Sequence, residues 1–311
     1  MARSEFAAAV ERADARIQGG IVRTPLEFSP ILSREMQATV LIKWECDQRT
    51  GSFKLRGALN AVLSLAEAVR RSGIISASTG NHGLAMTRAA RLVGAPLTLY
   101  VPRTTSTAKQ VRLRQVGADL VIDGDSCEAA EALARQAAVA WGKTYVSPYN
   151  DSAVIAGQGT VGLEILAAAR DADAVLVPVG GGGLAAGIAG YIKGKAAGIK
   201  VWGVEPRHSA FMRASLAAGR LVEIKEKPTL ADAVAGGIEP GSITFPLCRR
   251  YLRGIISVSE RMLAEALTTL TRIHGRSVEG AGALALAALG TEKRRFRGQT
   301  VVLVVSGRNA A

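Results

Sequence analysis

Short apolar runs alternate with amphipathic stretches along almost the whole chain. Val40-Leu41-Ile42-Lys43 reads as a strand, and residues 55–69 read as a helix from their apolar period. Ile74-Ile75-Ser76-Ala77 is a short buried strand leading into a helix over residues 81–92. The strand pattern returns at residues 97–101, 120–122 and 144–146, with helices near 108–115 and 127–140 between them. Residues 175–179, 200–204, 255–258 and 300–305 supply later strands. Such alternation predicts an α/β protein, with parallel-rich sheets covered by helices on both faces. No repeat, low-complexity segment or long linker interrupts it. Two lobes must therefore share one continuous chain. Residues 64–147, with four short strands of their own, are expected to form a smaller lobe on the substrate side. Residues 1–63 and 148–311 together make the larger, cofactor-binding lobe.

The length of 311 residues allows a large core. The uncharged run at residues 174–192 approaches membrane-spanning length, but Pro178 and its glycines make it a strand, a turn and a helix. No membrane partner is expected. The opening residues lack the apolar core of a signal peptide; Met1 and Ala2 lie outside the residues described below. Cys46, Cys127 and Cys248 are widely spaced and odd in number, offering neither a metal motif nor a disulfide framework. A reducing, cytoplasmic setting is expected. The net charge of +13 is scattered and accompanies no nucleic-acid motif, so nucleic acid is not an expected partner. The charge instead favours anionic substrates and a phosphorylated cofactor.

Candidate chemistry begins at Thr50-Gly51-Ser52-Phe53-Lys54-Leu55-Arg56-Gly57-Ala58. A lysine between a polar turn and a clean apolar helix can be held facing a cleft, and lysine is the side chain that forms Schiff bases with carbonyl compounds. The four glycines Gly180 to Gly183, before Leu184, follow a strand and open a helix. Backbone N–H groups there can approach an anion, and a phosphate is the natural guest. The same stretch fits a dinucleotide fingerprint, Gly181-x-Gly183-x-x-Ala186, with Glu205 as a ribose-binding acid. That alternative leaves Lys54 without a role. Ser78-Thr79-Gly80-Asn81-His82-Gly83 also joins a strand to a helix and offers a cradle for a substrate carboxylate, or an ordinary helix cap. His82 has no visible orienting acid and reads as a structural hydrogen-bonder. Ser306, at the carboxyl end of the last strand, points toward the crevice where α/β proteins bind ligands.

Taken in order, these motifs resemble the fold-type II pyridoxal-phosphate enzymes, specifically the threonine/serine dehydratase and serine racemase group. Arg23-Thr24-Pro25-Leu26, Ala156-Gly157-Gln158-Gly159-Thr160, Glu279-Gly280-Ala281-Gly282-Ala283 and Ser306-Gly307-Arg308-Asn309 extend the resemblance over nearly the whole chain. The wording of the Ser78 and Ser306 motifs is similar to the hydroxyectoine-utilisation dehydratase branch. The resemblance implies a tryptophan-synthase β-like fold, pyridoxal 5'-phosphate as cofactor, and a homodimer. It implies β-elimination of a β-hydroxy amino acid to a 2-oxo acid and ammonia. Lys54 would carry the cofactor and act as the Cα base, and Phe53 would pack beside the ring. Asn81 would bond the phenolic oxygen, residues 180–184 the phosphate, and Ser306 would face the pyridine nitrogen. Ser78, Thr79, Gly80 and His82 would border the substrate carboxylate, and Glu279 would orient the ring or leaving group, or merely match a helix dipole.

Departures from the family pattern sharpen the expectation. Thr79 stands where racemases carry a serine facing the lysine across the ring; it keeps the hydroxyl as a second catalytic candidate, but its methyl argues against two-base racemisation. Glu205-Pro206 is followed by no second acid, so no metal site is expected. Arg308 replaces a glycine, placing a charge near the dimer or cofactor edge. The regulatory extension of allosteric threonine dehydratases is not expected. A β-replacement enzyme or racemase of the same fold, and a non-catalytic pyridoxal-binding protein, are the alternatives. Threonine, serine, 3-hydroxyaspartate and an ectoine-derived amino acid all stay open as substrates.

Overall fold

The computed structural model describes residues 3–309. Ten strands divide between two sheets, numbered here in chain order. Strands β1 (Leu26–Phe28), β2 (Thr39–Trp44), β7 (Ala174–Pro178), β8 (Lys200–Pro206), β9 (Gly254–Val258) and β10 (Thr300–Val305) form a six-stranded sheet in the order β1-β2-β10-β7-β8-β9. Strands β3 (Ile74–Ala77), β4 (Leu97–Val101), β5 (Asp119–Ile122) and β6 (Thr144–Tyr145) form the second sheet, ordered β5-β4-β3-β6.

All pairings are parallel except that of β1 with β2. The antiparallel β1 was not expected. Three residues with only partial burial leave almost no period to read. Central strands are apolar throughout because helices cover both of their faces: every residue of β7 is buried, and β10 is buried from Val301 to Val305.

Register places the site. Strand β10 pairs with β2 from Thr300 opposite Thr39 to Val305 opposite Trp44, so Ser306 emerges beside the loop that leads to Lys54. A bridge between Ser52 and Gly307 and the bond from Phe53 N to Ser306 O (3.1 Å) join the two segments. Glycines allow close packing of the helices around them. A methyl on Gly57 or on Gly157 would strike the opposing helix. The expected helix over residues 55–69 is two helices, Lys54–Ser64 and Glu67–Ser72. Leu65 and Ala66 turn extended between them, and the Ser64 hydroxyl bonds back to Ala61 O (2.8 Å). A local hydroxyl competitor of this kind ends a helix that apolar spacing alone would extend.

Candidate active site

Lys54 is the first residue of its helix, and its Nζ donates to Pro148 O at 2.8 Å. Its ring neighbour Phe53 lies 5.4 Å from the amine, centroid to nitrogen. Burial lowers the amine's pKa to about 8, against the opposing pull of Glu131 and Glu279. Lys54 is therefore neutral, and nucleophilic, far more often near neutral pH than an ordinary lysine.

The amine borders a cavity of about 1160 Å³ that all the sequence-derived site residues line: Phe53, Lys54, residues 78–82, residues 180–184, Glu279 and Ser306. They come from both sheets. The 78–82 turn follows β3, the glycine turn follows β7, and Ser306 follows β10.

The glycine turn is shaped by contacts, not only by flexibility. Gly182 holds φ +88° as it opens the Gly183–Lys195 helix, and no side chain caps that helix. A methyl on Gly181 would fall inside the Tyr149 ring, and one on Gly180 would meet Val234 at 3.0 Å. Thr244 Oγ1 donates to Gly181 O (2.6 Å), which fixes the peptide. This helix start carries no side-chain cap and lines the cavity, a combination suited to an anion.

The second turn is likewise uncapped. Ser78 Oγ accepts from Gly80 N at 3.2 Å rather than from an amide of the Asn81–Leu92 helix, whose cap position is Gly80. The ordinary-cap reading of Ser78 and Thr79 therefore does not hold, and the helix start is available to a carboxylate. His82 is buried, and its Nε2 lies 3.1 Å from Ser76 Oγ, which itself donates to Val146 O (2.8 Å). The hydroxyl proton is thus committed, so Nε2 is the protonated nitrogen and Nδ1 is a bare acceptor without a partner. Burial, followed by the charge of Lys54, depresses the ring to about 3. His82 is a neutral structural hydrogen-bonder.

Asn81 and Glu279 form a pair across the cavity. Asn81 Nδ2 donates to Glu279 Oε1 and Oε2 at 2.8 and 3.0 Å. Glu279 occupies the cap position of the Gly280–Thr291 helix, where a carboxylate also matches the dipole, but it makes no side-chain cap bond. Burial raises its pKa to about 7.

Several site residues were not singled out by sequence reasoning. Tyr149 lies on the glycine turn, and its hydroxyl accepts from Glu239 N at 2.9 Å. Glu131 and Arg135 line the cavity from the Cys127–Ala140 helix. They are one turn apart, beside the buried stripe Ala130, Ala134, Ala138; that adjacency was the only available signal. Gln158 is buried, with Oε1 accepting from Gly57 N (3.2 Å) and Nε2 left without a partner at the cavity wall. Arg308 does not line this cavity; it is exposed and lies 3.9 Å from Asp47.

Behind Lys54 runs a buried charged network. Arg56 donates to Glu45 Oε2 and Oε1 (both 2.8 Å) and to Glu164 Oε1 (2.7 Å), while Lys43 bonds Glu164 Oε2 (2.5 Å). It anchors the lysine's helix to β2 and to the Ser152–Ala168 helix.

The dinucleotide alternative fails on Glu205. Both its carboxylate oxygens accept backbone amides, from Met212 and Arg213, at 2.8 Å each. The acid starts the Phe211–Ala218 helix and cannot also hold a ribose.

Comparison with known proteins agrees with this geometry. Residues 17–307 match the family of pyridoxal-phosphate dependent enzymes. The chain belongs to that family. Two relatives and one solved structure refine the placement. L-threonine ammonia-lyase from Thermotoga maritima is 38% identical over 300 residues, covering 96% of this chain and 74% of that protein. L-threo-3-hydroxyaspartate ammonia-lyase from Pseudomonas sp is 37% identical, covering 96% and 94%. The crystal structure of the T.th. threonine deaminase superposes with a TM-score of 0.90 at 37% identity, covering 97% of each chain. The site of this pyridoxal-phosphate enzyme fits its cofactor. It offers a half-buried amine for the aldehyde, uncapped amides beside four crowded glycines for the phosphate, and an unpartnered Gln158 Nε2 in the wall.

Proposed function

We propose that Lys54 holds pyridoxal phosphate and removes the Cα proton of a β-hydroxy amino acid. The enzyme is a pyridoxal-phosphate dependent lyase of the threonine/serine dehydratase group, and its reaction is β-elimination to a 2-oxo acid and ammonia. The observation that carries the role of Lys54 is the placement of its amine, depressed to about 8, between two uncapped helix starts. When bound, the cofactor supplies an electron sink for the pair left at Cα.

This chain's own residues do the rest. The glycine turn 180–184 takes the phosphate, and Tyr149 keeps that turn in shape. Ser78, Thr79 and Gly80, with the start of the Asn81–Leu92 helix, take the substrate carboxylate, while His82 buttresses them. Asn81 would bond the ring's phenolic oxygen, Glu279 would help to orient the ring or leaving group, and Phe53 would pack beside the ring. Ser306 would offer the ring nitrogen a neutral hydroxyl, a partner that favours prompt loss of the β-hydroxyl. Thr79 keeps a hydroxyl opposite Lys54, and its methyl disfavours proton return on that side.

In this reading residues 1–63 and 148–311 form the cofactor lobe and residues 64–147 the substrate lobe, supported by the two separate sheets. A cytoplasmic setting is supported by three free cysteines, and a homodimer by exposed Phe28 and Ile31 at the β1 edge. The wording of the Ser78 and Ser306 motifs supports a place in hydroxyectoine utilisation. The test is release of ammonia and 2-oxo acid from serine, threonine and 3-hydroxyaspartate by the cofactor-loaded enzyme. Absence of both products from every β-hydroxy amino acid would exclude the reaction.

A further inference from the structure

The four glycines that leave room for a phosphate also leave the direction of their peptides open. A peptide flanked by glycines meets little steric resistance to flipping. The flipped form would present a carbonyl oxygen where an anion needs an N–H. A contact from outside the turn has to fix which way its dipoles point.

The Thr244–Tyr251 helix makes that contact. Thr244 Oγ1 donates to Gly181 O at 2.6 Å, so its one hydroxyl proton is committed. Ser242 Oγ lies 2.7 Å from Thr244 Oγ1 and accepts from Thr244 N at 3.3 Å. Each hydroxyl has a single proton, so the bond between the two side chains uses that of Ser242. The bonds therefore run one way, from Thr244 N–H to Ser242, from Ser242 O–H to Thr244, and from Thr244 O–H to Gly181. Ser242 and Thr244 are both buried. Cys248, one turn further along the helix, packs with Met212 and Thr244 against Gly182. A methyl there would meet Met212 Cε, Thr244 Cβ and Cys248 Sγ at 2.9, 3.1 and 3.2 Å.

The direction of the amide follows. A trans, planar peptide points its N–H opposite to its C=O, and no cis bond occurs among the described residues. With Gly181 O drawn to Thr244, the Gly182 N–H points away from Thr244. Gly181 and Gly182 line the cavity, whereas Ser242, Thr244 and Cys248 do not. The hydroxyls thus hold the turn from behind and leave the N–H on the cavity side. Among the described residues neither Gly182 N nor Gly183 N, the first amide of the uncapped helix, has a hydrogen-bond partner.

Resting on the assignment of the cofactor phosphate to this turn, we infer that Thr244 is a positioning residue for phosphate recognition. It holds the Gly181–Gly182 peptide with its N–H toward the cavity, and Ser242 holds Thr244. Neither side chain touches the cofactor. Their effect falls on the phosphate and not on the aldehyde chemistry at Lys54.

The test compares pyridoxal 5'-phosphate with pyridoxal, which keeps the aldehyde and lacks the phosphate. Stripped enzyme is titrated with each, and the absorbance at about 410–420 nm reports condensation. Thr244→Val keeps the shape of the side chain and loses its donor. It is expected to lower the preference for the phosphorylated compound about tenfold, with pyridoxal affinity unchanged, and Thr244→Ser to restore it. Equal weakening of both compounds marks general damage and overturns the inference, as does an unchanged preference. Where Thr244→Val does not fold, Ser242→Ala decides: a preference lowered about threefold sustains the inference, and an unaltered one overturns it. Pyridoxine 5'-phosphate and pyridoxine, whose alcohol cannot condense, give the same ratio by calorimetry without Lys54 chemistry. A fall of that ratio in Thr244→Val sustains the inference even where no absorbance band forms, an outcome that counts against the role of Lys54 alone.

Discussion

Asn309 Nδ2 donates to Asn81 Oδ1 at 2.7 Å, and so decides which way the Asn81 amide faces. The same nitrogen donates to Thr50 O at 2.7 Å, and Asn309 Oδ1 accepts from Arg112. With its oxygen held, Asn81 must turn its nitrogen to Glu279. Asn309→Ala removes both donors. Its expected effect is a roughly tenfold weaker hold on the cofactor, one to two hydrogen bonds at about 1 kcal/mol each, measured by fluorescence titration of the stripped enzyme.

Replacing Lys54 by alanine is expected to abolish turnover together with the absorbance at about 410–420 nm that a lysine-linked pyridoxal cofactor shows. Full activity in Lys54→Ala would remove the proposed chemistry. Cofactor-loaded protein examined by absorbance and by ammonia release gives both readouts.

The depressed amine has a pH signature. Only the neutral amine attacks an aldehyde, so the rate of cofactor uptake by stripped enzyme should rise with pH and level off above about 8. An ordinary lysine would still be accelerating at pH of about 10. The linked stability effect has the corresponding sign. Between about 8 and the ordinary 10.5 the unfolded chain binds the extra proton, so Lys54 contributes increasing stability to the stripped enzyme as pH rises through that window. Stopped-flow absorbance and denaturation midpoints across pH check the two statements.

Arg56→Met is expected to cost about 3–5 kcal/mol, the usual penalty for breaking one side of a buried ion pair. Glu45 and Glu164 would then share Lys43 alone. Chemical denaturation measures the loss. A drop below about 1 kcal/mol would show that the network is not held as described.

Gly181→Ala places a methyl in the Tyr149 ring and forces either the ring or the turn to move. The expected result is at least tenfold weaker cofactor binding with an unchanged far-ultraviolet spectrum. Wild-type affinity would show that the turn does not carry the phosphate.

The site was legible in the sequence wherever a motif is local. Lys54, the 78–82 turn, the four glycines and Ser306 each sit at a strand–helix junction or strand end whose residue types declare themselves, and all line one cavity. What was missed depends on distant pairing. Arg135 meets Glu239 across 104 residues and Asn309 meets Asn81 across 228. In the sequence, Glu131 and Arg135 read as an exposed i,i+4 pair on an alanine-rich helix. Arg56 reads as a solvated helix residue until its two acids, 11 residues before and 108 after, close around it. The fold followed the same division. Apolar runs announced the buried strands, whereas β1 and the break after Ser64 are set by neighbours and by one hydroxyl.

Arg56 stands two positions from Lys54 on the same short helix, bolted to two separate elements of the large sheet's surroundings. The nitrogen proposed to hold the cofactor is thereby aimed by a guanidinium that does not line the cavity. Transplanting the lysine motif alone into another scaffold would therefore bring a warhead without its mount.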